Sequence, residues 1–305
     1  MLGIWEATIA GLRGIRTGGI GLTRMTNEER PESLKEGMMS SDVIDYYNNH
    51  VEAEWERLMK PMCAIEFAST LRMIERYFPK SGRVIDIGCG PGRYAIELRR
   101  RGYAVTLVEP AEKELDFARH QFAELGLQAE GFILGDAREL GMFKDGTFDA
   151  ALALGSQYHI VDREERIKAL RELKRILKSS GVAIVSYLNS WGLIRTGVTD
   201  LVTRFRDRAF LQAMLGELSF PQMGGFTTCY WSTPPAARQE IADAGLEVLS
   251  YGSAEGVAGG MWPLIDKLAS TDNVAYGNLV EFAAQTCELP QFRDIGDHLH
   301  YIVSK

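Results

Sequence analysis

The chain has 305 residues, a hydrophobic fraction of 46% and a formal net charge of -7 at pH 7, which suits a globular protein with a large core. The acidic balance argues against a general nucleic-acid-binding protein, which needs a basic face for phosphates. No apolar run approaches the ~18 residues of a membrane span. The four cysteines form no CxxC pair, so we expect neither a zinc site nor disulfides, and a cytoplasmic protein with reduced thiols.

The N-terminal part divides into two segments. Residues 1–39 lack the compact apolar core and cleavage site of a targeting peptide, and they are predicted to be a flexible extension. From about residue 40 the apolar spacing becomes helical. The stretches "SDVIDYYNNHVEAEWERLMK" and "PMCAIEFASTLRMIERYF" predict helices over 40–80.

Strands and helices then alternate along the chain. Apolar runs typical of buried strands are "RVIDIG", "YAVTLVE", "EGFILGD", "FDAALAL", "VAIVSYL", "LEVLSYG" and "HLHYIVS". Amphipathic helical patterns follow several of them, for example "PGRYAIELRRRG" and "REERIKALRELKRILKSSG". This alternation predicts a doubly wound α/β sheet.

Two segments interrupt the alternation. Residues 191–233 contain a predicted helix, "TDLVTRFRDRAFLQAML", and an aromatic loop, "FPQMGGFTTCYW", and we interpret them as a cap. A second insertion over 252–297 contains a helical pattern at roughly 262–288 and precedes the last strand. It would build a further lid or a homodimer contact.

A glycine-rich loop follows the first strand, where open α/β sheets bind their ligands. Gly88, Gly90 and Gly92 form a GxGxG pattern, and Arg93 stands where the dinucleotide fingerprint GxGxxG has its third glycine. Asp86 precedes the loop. A carboxylate there would repel a pyrophosphate but would attract a cationic amino group, such as the one that S-adenosylmethionine carries. The loop therefore favours S-adenosylmethionine over NAD.

Acidic residues end the next two strands. Glu109 lies seventeen positions past Gly92, where a carboxylate can accept hydrogen bonds from ribose hydroxyls of either NAD or S-adenosylmethionine. In "GDAREL" the carboxylate of Asp136 and the amide of Ala137 can hold an adenine ring.

The motifs "VIDIGCGPGRYAIEL", "LVEP", "GDAREL", "FDAALALGSQYHI" and "LRELKRILKSSG" resemble, in this order, those of class I S-adenosylmethionine-dependent methyltransferases. The resemblance is strong over about 40–190. It departs at "LKSSG" (177–181), where family members often have "LKPGG". It implies a Rossmann-like seven-stranded sheet, mostly parallel with an antiparallel last strand, in a methyltransferase domain over 40–305 whose N-terminal helices form a lid.

The resemblance also implies a set of residues for S-adenosylmethionine and its product S-adenosylhomocysteine. The loop would contact the methionine part, the end of the second strand the ribose, and the end of the third strand the adenine. The implied residues are Tyr47, Asp86, Gly88, Cys89, Gly90, Gly92, Glu109, Pro110, Asp136, Ala137, Leu154 and Gly155.

Candidate catalytic residues lie at the end of the fourth strand and on the lid. His159 is the candidate general base or acceptor-orienting group, with Tyr158 beside it. The alternative for His159 is a structural bond to a backbone carbonyl or a helix cap. Tyr46 and Tyr47 begin the lid helix, where either ring can face the sulfonium of the cofactor.

Candidate acceptor-binding residues follow the fifth strand or lie in the cap, although core packing is the more common fate of such aromatic side chains. The candidates are Asn189, Trp191, Arg195, Tyr230 and Trp231. No Asp/Asn cluster indicates a metal, and we expect none to be required.

The sequence thus predicts an S-adenosylmethionine-dependent methyltransferase that acts on a small molecule, such as a secondary metabolite or a quinone-type compound, at N, O or C. Two alternatives stay open. The first is a tRNA-modifying methyltransferase, which the acidic balance and the absence of a basic, aromatic stripe disfavour. The second is a protein that binds the cofactor without transferring its methyl group.

Overall fold

The computed structural model describes residues 41–220 and 227–305. The predicted flexible extension, residues 1–39, and half of the predicted aromatic loop, residues 221–226, lie outside the described residues.

The described elements alternate between helix and strand after three N-terminal helices. The helices are α1 (Ser41–Asn49), α2 (Val51–Leu58), α3 (Pro61–Tyr77), α4 (Arg93–Arg100), α5 (Glu112–Glu124), α6 (Arg163–Ile176), α7 (Ser190–Asp200), α8 (Arg208–Ala213), α9 (Pro234–Asp243), α10 (Trp262–Thr271) and α11 (Asn273–Thr286). The strands are β1 (Arg83–Ile87), β2 (Ala104–Glu109), β3 (Gly131–Leu134), β4 (Phe148–Ala153), β5 (Leu177–Asn189), β6 (Leu218–Phe220), β7 (Cys229–Ser232), β8 (Glu247–Ser253) and β9 (His298–Ser304).

The sheet has the predicted doubly wound form. Strands β3, β2, β1, β4 and β5 lie side by side in this order and are parallel. The last strand, β9, is antiparallel to β5, and β8 pairs with its other edge. All the strands predicted from the sequence are present, and the antiparallel last strand is confirmed.

The cap adds two short strands that the sequence analysis missed. Strand β7 runs parallel to the last residues of β5, and β6 pairs antiparallel with β7. These strands have only four and three residues, too few to show a period of two in the sequence.

The sheet is buried on both faces, as its apolar strands require. Alternate residues of each strand contribute to two cores. One core packs against α6 and α9 through side chains such as Leu170 and Ile241. The other packs against α3, α4 and α5 through Met73, Leu98 and Phe122.

The predicted cap helix over 199–215 is wrong. Helix α7 ends at Asp200, and a 3₁₀ turn and the short α8 follow. Val202, which the helical pattern would bury, is 58% exposed. β-Branched residues have low helix propensity, and here no burial offsets it.

Most of the site residues predicted from the sequence lie at one edge of the sheet. The carboxyl ends of the parallel strands meet there, and β1 has β2 on one side and β4 on the other, so the crevice opens at the end of β1. Because β9 is antiparallel, its first residue, His298, lies at this same edge, opposite Leu188 of β5.

Candidate active site

The loop after β1 turns sharply because its glycines have positive φ. Gly88, Gly90 and Gly92 have φ of +70°, +51° and +86°, a region in which other residues are strained. The Gly88 and Cys89 amides donate to the Val108 carbonyl at 2.8 and 3.2 Å, which ties the loop to β2. The chain then enters α4 directly from Gly92.

The three loop glycines differ in what surrounds them. A Cβ at Gly92 would lie 3.0 Å from Cβ of Ala118, and one at Gly88 would lie 3.3 Å from N of Ser156. A Cβ at Gly90 would meet no described protein atom within 4 Å. Gly88 and Gly92 are therefore constrained by packing, whereas Gly90 faces open space.

Asp86 is buried at the end of β1 and lacks a full set of partners. Its Oδ2 atom has no hydrogen-bond partner among the described residues. Burial and, after it, the charge of Glu109 raise its pKa to about 7. An incompletely paired carboxylate is costly inside a protein, so this atom is suited to a cationic ligand group.

Glu109 is held in place by the backbone at the end of β2. Its Oε2 accepts from the Gly90 amide at 2.9 Å and its Oε1 from the Ala111 amide at 3.0 Å. Burial raises its pKa to about 7, although these two bonds oppose the shift. Each oxygen retains a lone pair, so the carboxylate can accept two further hydrogen bonds.

Asp136 is fixed by a residue that the sequence analysis missed. Both of its oxygens accept from the Arg138 side chain, at 2.9 and 2.8 Å, and Oδ1 also accepts from the Arg138 amide. Arg138 extends on to Glu165 at 3.4 Å. The other predicted cofactor residues lie in the same strand-end segments: Cys89 and Leu154 are half-buried, and Pro110 and Ala137 are buried.

The residues after β4 lie against the glycine loop. A Cβ at Gly155 would lie 3.5 Å from O of Gly88 and 3.8 Å from the hydroxyl of Tyr158. Ser156 Oγ and Gln157 Oε1, which the sequence analysis also missed, are buried without partners among the described residues.

His159 is neutral and has both ring nitrogens engaged. Its Nδ1 donates to the Thr228 carbonyl at 2.9 Å, so its Nε2 accepts from the Tyr47 hydroxyl, also at 2.9 Å. Burial lowers its pKa to about 4. Tyr46 instead stacks on His50, with ring centroids 4.5 Å apart. His159 therefore connects helix α1 to the segment that precedes β7.

Asn189 and Tyr230, two predicted acceptor ligands, are engaged by the protein itself. Asn189 donates to the carbonyls of Asp294 and Gly296 at 2.9 Å, and its Oδ1 caps α7 by accepting from the Trp191 amide. Tyr230 is buried and donates to Glu217 at 2.9 Å. These contacts give both residues structural roles, because their polar groups already bind protein partners.

The other predicted acceptor ligands are partly exposed in the cap. The Trp191 indole donates to the Leu215 carbonyl at 3.1 Å, and the Trp231 indole donates to Cys229 Sγ at 3.2 Å. Arg195 is half-exposed on α7.

A histidine–glutamate pair at the same edge was missed from the sequence. His298 Nδ1 lies 2.6 Å from Glu255 Oε1, and the His298 amide donates to Oε2 at 3.1 Å. Its ring centroid lies 6.1 Å from that of Tyr158. Burial alone would lower the His298 pKa, but the Glu255 carboxylate raises it to about 9. The sequence did contain a signal for His298. It is the first residue of the predicted last strand, and an antiparallel strand begins at the edge where the parallel strands end.

The geometry fits S-adenosylmethionine. Asp86 offers a buried oxygen to an ammonium group, Glu109 offers two acceptors to ribose hydroxyls, and Gly90 leaves room for the ligand. The sheet order with its antiparallel last strand, together with this edge, defines a class I S-adenosylmethionine-dependent methyltransferase fold.

Comparisons identify the matching family. Residues 84–181 match the model of a methyltransferase domain family. The chain is 35% identical over 107 residues to a ubiquinone biosynthesis O-methyltransferase of Caulobacter sp., which covers 35% of this chain and 41% of that enzyme. It is 27% identical over 194 residues to the malonyl-[acyl-carrier protein] O-methyltransferase of Erwinia pyrifoliae, which covers 61% and 71%. The matched segment is therefore a methyltransferase domain, as the resemblance indicates.

A solved structure supports the fold over most of the chain. The 1,6-didemethyltoxoflavin-N1-methyltransferase of Burkholderia thailandensis, with bound 1,6-didemethyltoxoflavin and S-adenosylhomocysteine, superposes with a TM-score of 0.55. The match covers 94% of this chain and 93% of that one at 14% identity. The chain spans less than half the length of curated relatives that are 30% or more identical to it where they align.

Within 41–220 and 227–305, no group of three or more His, Cys, Asp or Glu side chains is placed to hold a metal ion. Among the helices of these same segments, none combines the length and hydropathy that crossing a bilayer requires.

Proposed function

We propose that this protein transfers the methyl group of S-adenosylmethionine to a small-molecule acceptor. The observation that carries the proposal is the bridge from Tyr47 through His159 to Thr228, which connects the lid to the cap over the end of β4. A site closed by such contacts would suit a small acceptor better than the surface of a tRNA. The names of similar proteins, which include a ubiquinone O-methyltransferase and a toxoflavin-type N-methyltransferase, are compatible with a small-molecule acceptor.

The chain's own residues would hold the cofactor and exclude water. When bound, S-adenosylmethionine supplies an electrophilic methyl group on a good leaving group, so alignment and desolvation are the main tasks of the protein. Asp86 would bind the ammonium group and Glu109 the ribose hydroxyls. Asp136, fixed by Arg138, would accept from the adenine amino group.

His159 would act by positioning Tyr47. A general base needs a free lone pair, but Nε2 of His159 accepts from Tyr47, and Nδ1 carries the proton donated to Thr228. These contacts favour the structural alternative, a bond to a backbone carbonyl, over a general base or a group that orients the acceptor. Tyr47 in turn would close the lid over the methyl group.

His159→Gln and Tyr47→Phe test this role, with Tyr46→Phe as the matched control. We expect both test variants to lower methyl transfer by about tenfold, since each removes a hydrogen bond that holds the lid. The pH dependence of transfer should stay unchanged, and Tyr46→Phe should have little effect. A loss of the acidic limb of the pH profile in His159→Gln would instead support a general base.

Labelled methyl transfer identifies the acceptor class. Purified protein and methyl-labelled S-adenosylmethionine would be incubated with a metabolite extract and, separately, with total tRNA. We expect label in small molecules, and much less of it with Asp86→Asn protein when S-adenosylmethionine is kept near the wild-type Kd. Label in tRNA alone would contradict the proposal, and no transfer despite cofactor binding would support the non-catalytic alternative. The cytoplasmic location, the homodimer and the lid role of the second insertion stay predictions.

A further inference from the structure

We propose that His298, held by Glu255, contacts the methyl acceptor and binds it as an oxygen anion, so that the acceptor is an acidic hydroxyl compound, such as a phenol or an enol, or a carboxylic acid. This inference rests on the proposed function and narrows its acceptor from N, O or C to oxygen.

His298 lies close to the cofactor loop. It begins β9 at the carboxyl edge of the parallel strands, opposite Leu188. Its ring centroid lies 6.1 Å from that of Tyr158. The Tyr158 hydroxyl lies beside Gly155, and Gly155 in turn lies beside the Gly88 carbonyl of the cofactor loop. One aromatic ring therefore separates His298 from the loop, which is a suitable place for an acceptor-binding group.

The partners of the ring determine which atom faces the acceptor. Nδ1 is bound to Oε1 of Glu255, while Oε2 accepts from the His298 amide and from Ser253 Oγ at 3.3 Å. Glu255 is 2% exposed in its side chain and His298 is 19% exposed. Among the described residues no hydrogen bond to Nε2 of His298 is found, so Nε2–H is the group left for a ligand.

The neighbouring charges keep His298 as the cation of this region. Asp297 accepts from Thr196 and Trp262, and burial followed by Glu255 raises its pKa to about 6. His300 is neutral, because burial lowers its pKa to about 4. The other facing groups are Glu66 on α3, which adds negative charge, and the neutral Tyr158.

This arrangement discriminates between acceptor types. An acidic hydroxyl can release its proton to solvent and bind as an anion against the imidazolium Nε2–H. Its oxygen then forms the O–C bond while the C–S bond of the cofactor breaks and sulfur keeps the electron pair. The products are the neutral methyl ether or ester and S-adenosylhomocysteine, and His298 keeps its own proton. A protonated amine would be repelled at this position.

Binding of two matched probes tests the proposal without turnover. Protein saturated with S-adenosylhomocysteine would be titrated with 4-nitrophenol, which ionises, and with 4-nitroaniline, a neutral analogue of the same shape. We expect the wild type to prefer nitrophenolate by about tenfold or more, and His298→Gln to lose that preference. His120→Gln is the control, because His120 also pairs with a glutamate, Glu124 at 3.0 Å, but on the surface.

The outcomes separate this inference from the proposed function. Calorimetry should show unchanged S-adenosylhomocysteine binding in His298→Gln, so the cofactor site is judged independently. Equal binding of both probes to the wild type, no nitrophenol binding, or a preference that survives His298→Gln would each overturn the inference.

A second measurement needs no variant. In imidazole NMR of the wild type, one of the five histidines should stay protonated one pH unit below the His298 pKa of about 9. Five histidines that are all neutral at that pH would overturn the proposal.

Discussion

At the carboxyl edge of the sheet, the residues proposed for the cofactor form one half, the cofactor half, and the surroundings of His159 and His298 form the other, the acceptor half. The two halves differ in how far apart in sequence their contacting residues lie. In the cofactor half, Glu109 accepts from backbone amides 19 and 2 positions away. In the acceptor half, His159 contacts residues 112 and 69 positions away, and His298 contacts Glu255 across 43 positions. The proposed cofactor site is thus set by short loops, whereas the proposed acceptor site depends on how distant segments pack. Substitutions in the acceptor half should therefore leave the cofactor half intact.

The largest expected effect comes from the buried ion pair behind the acceptor half. Arg166 donates to Glu240 between α6 and α9, to the carbonyls of Ile160 and Val161, and lies 3.5 Å over the Tyr230 ring. Arg166→Met leaves Glu240 buried without its cation, so we expect the free energy of unfolding to fall by about 3–5 kcal/mol. Chemical denaturation measures this change.

A surface pair between the same two helices is the control. Arg163 binds Asp243, but both side chains are largely exposed. Arg163→Met should therefore change the stability far less. If both variants unfold at the same denaturant concentration, the buried pair does not stabilise the acceptor half in the way described.

Asp86→Asn should give the next largest effect, on the cofactor half alone. The neutral amide cannot pair with an ammonium group, so we expect the Kd for S-adenosylhomocysteine to rise about 30- to 100-fold, or about 2–3 kcal/mol. Calorimetry measures it, with Asp116→Asn on the surface of α5 as control. A Kd within threefold of wild type would contradict the assignment.

The same substitution should not destabilise the protein without ligand. The folded Asp86 pKa of about 7 lies above its ordinary value, so the folded state disfavours the charged form. As the pH rises from the ordinary pKa of an aspartate to about 7, the Asp86 carboxylate therefore lowers the free energy of unfolding more and more. Asparagine carries no charge, so the variant does not lose this stability. Melting above pH 7 should show Asp86→Asn at least as stable as wild type.

Sequence reasoning predicted the first half of the site better than the second for a physical reason. Asp86, Gly90 and Glu109 follow apolar runs whose strand character is local, so their common edge follows from the fold class alone. The partners of His159 and His298 depend on where the lid and the insertions pack, which no local pattern encodes. The short strands β6 and β7 were missed because three or four residues are too few to show an alternating pattern.

Gly90 and Gly92 both have a positive φ, but only Gly90 faces the space proposed for the ligand. Substituting each in turn therefore separates backbone strain from ligand binding. Alanine at Gly90 or Gly92 must adopt a positive φ, at a cost of about 1–2 kcal/mol in stability. Gly92→Ala also meets Ala118, so it should be the less stable variant. Gly90→Ala meets no protein atom but enters the ligand space, so it should weaken S-adenosylhomocysteine binding by about tenfold while Gly92→Ala spares it. The reverse order of affinities would contradict the assignment of Gly90.

The smallest expected effect is the pH dependence of cofactor binding, which isolates the charge on Asp86. Its folded pKa is about 7, and only the ionised form attracts an ammonium group. As the pH falls below 7 the carboxylate must first lose a proton, so affinity for S-adenosylhomocysteine should fall by up to about tenfold per pH unit. Calorimetry in buffers of different ionisation enthalpy should then detect proton release on binding. In Asp86→Asn this slope should shrink to the part that Glu109, also with a pKa of about 7, contributes. Affinity that stays constant or rises as the pH falls would show that Asp86 is already charged before the ligand arrives, or that it does not bind the amino group.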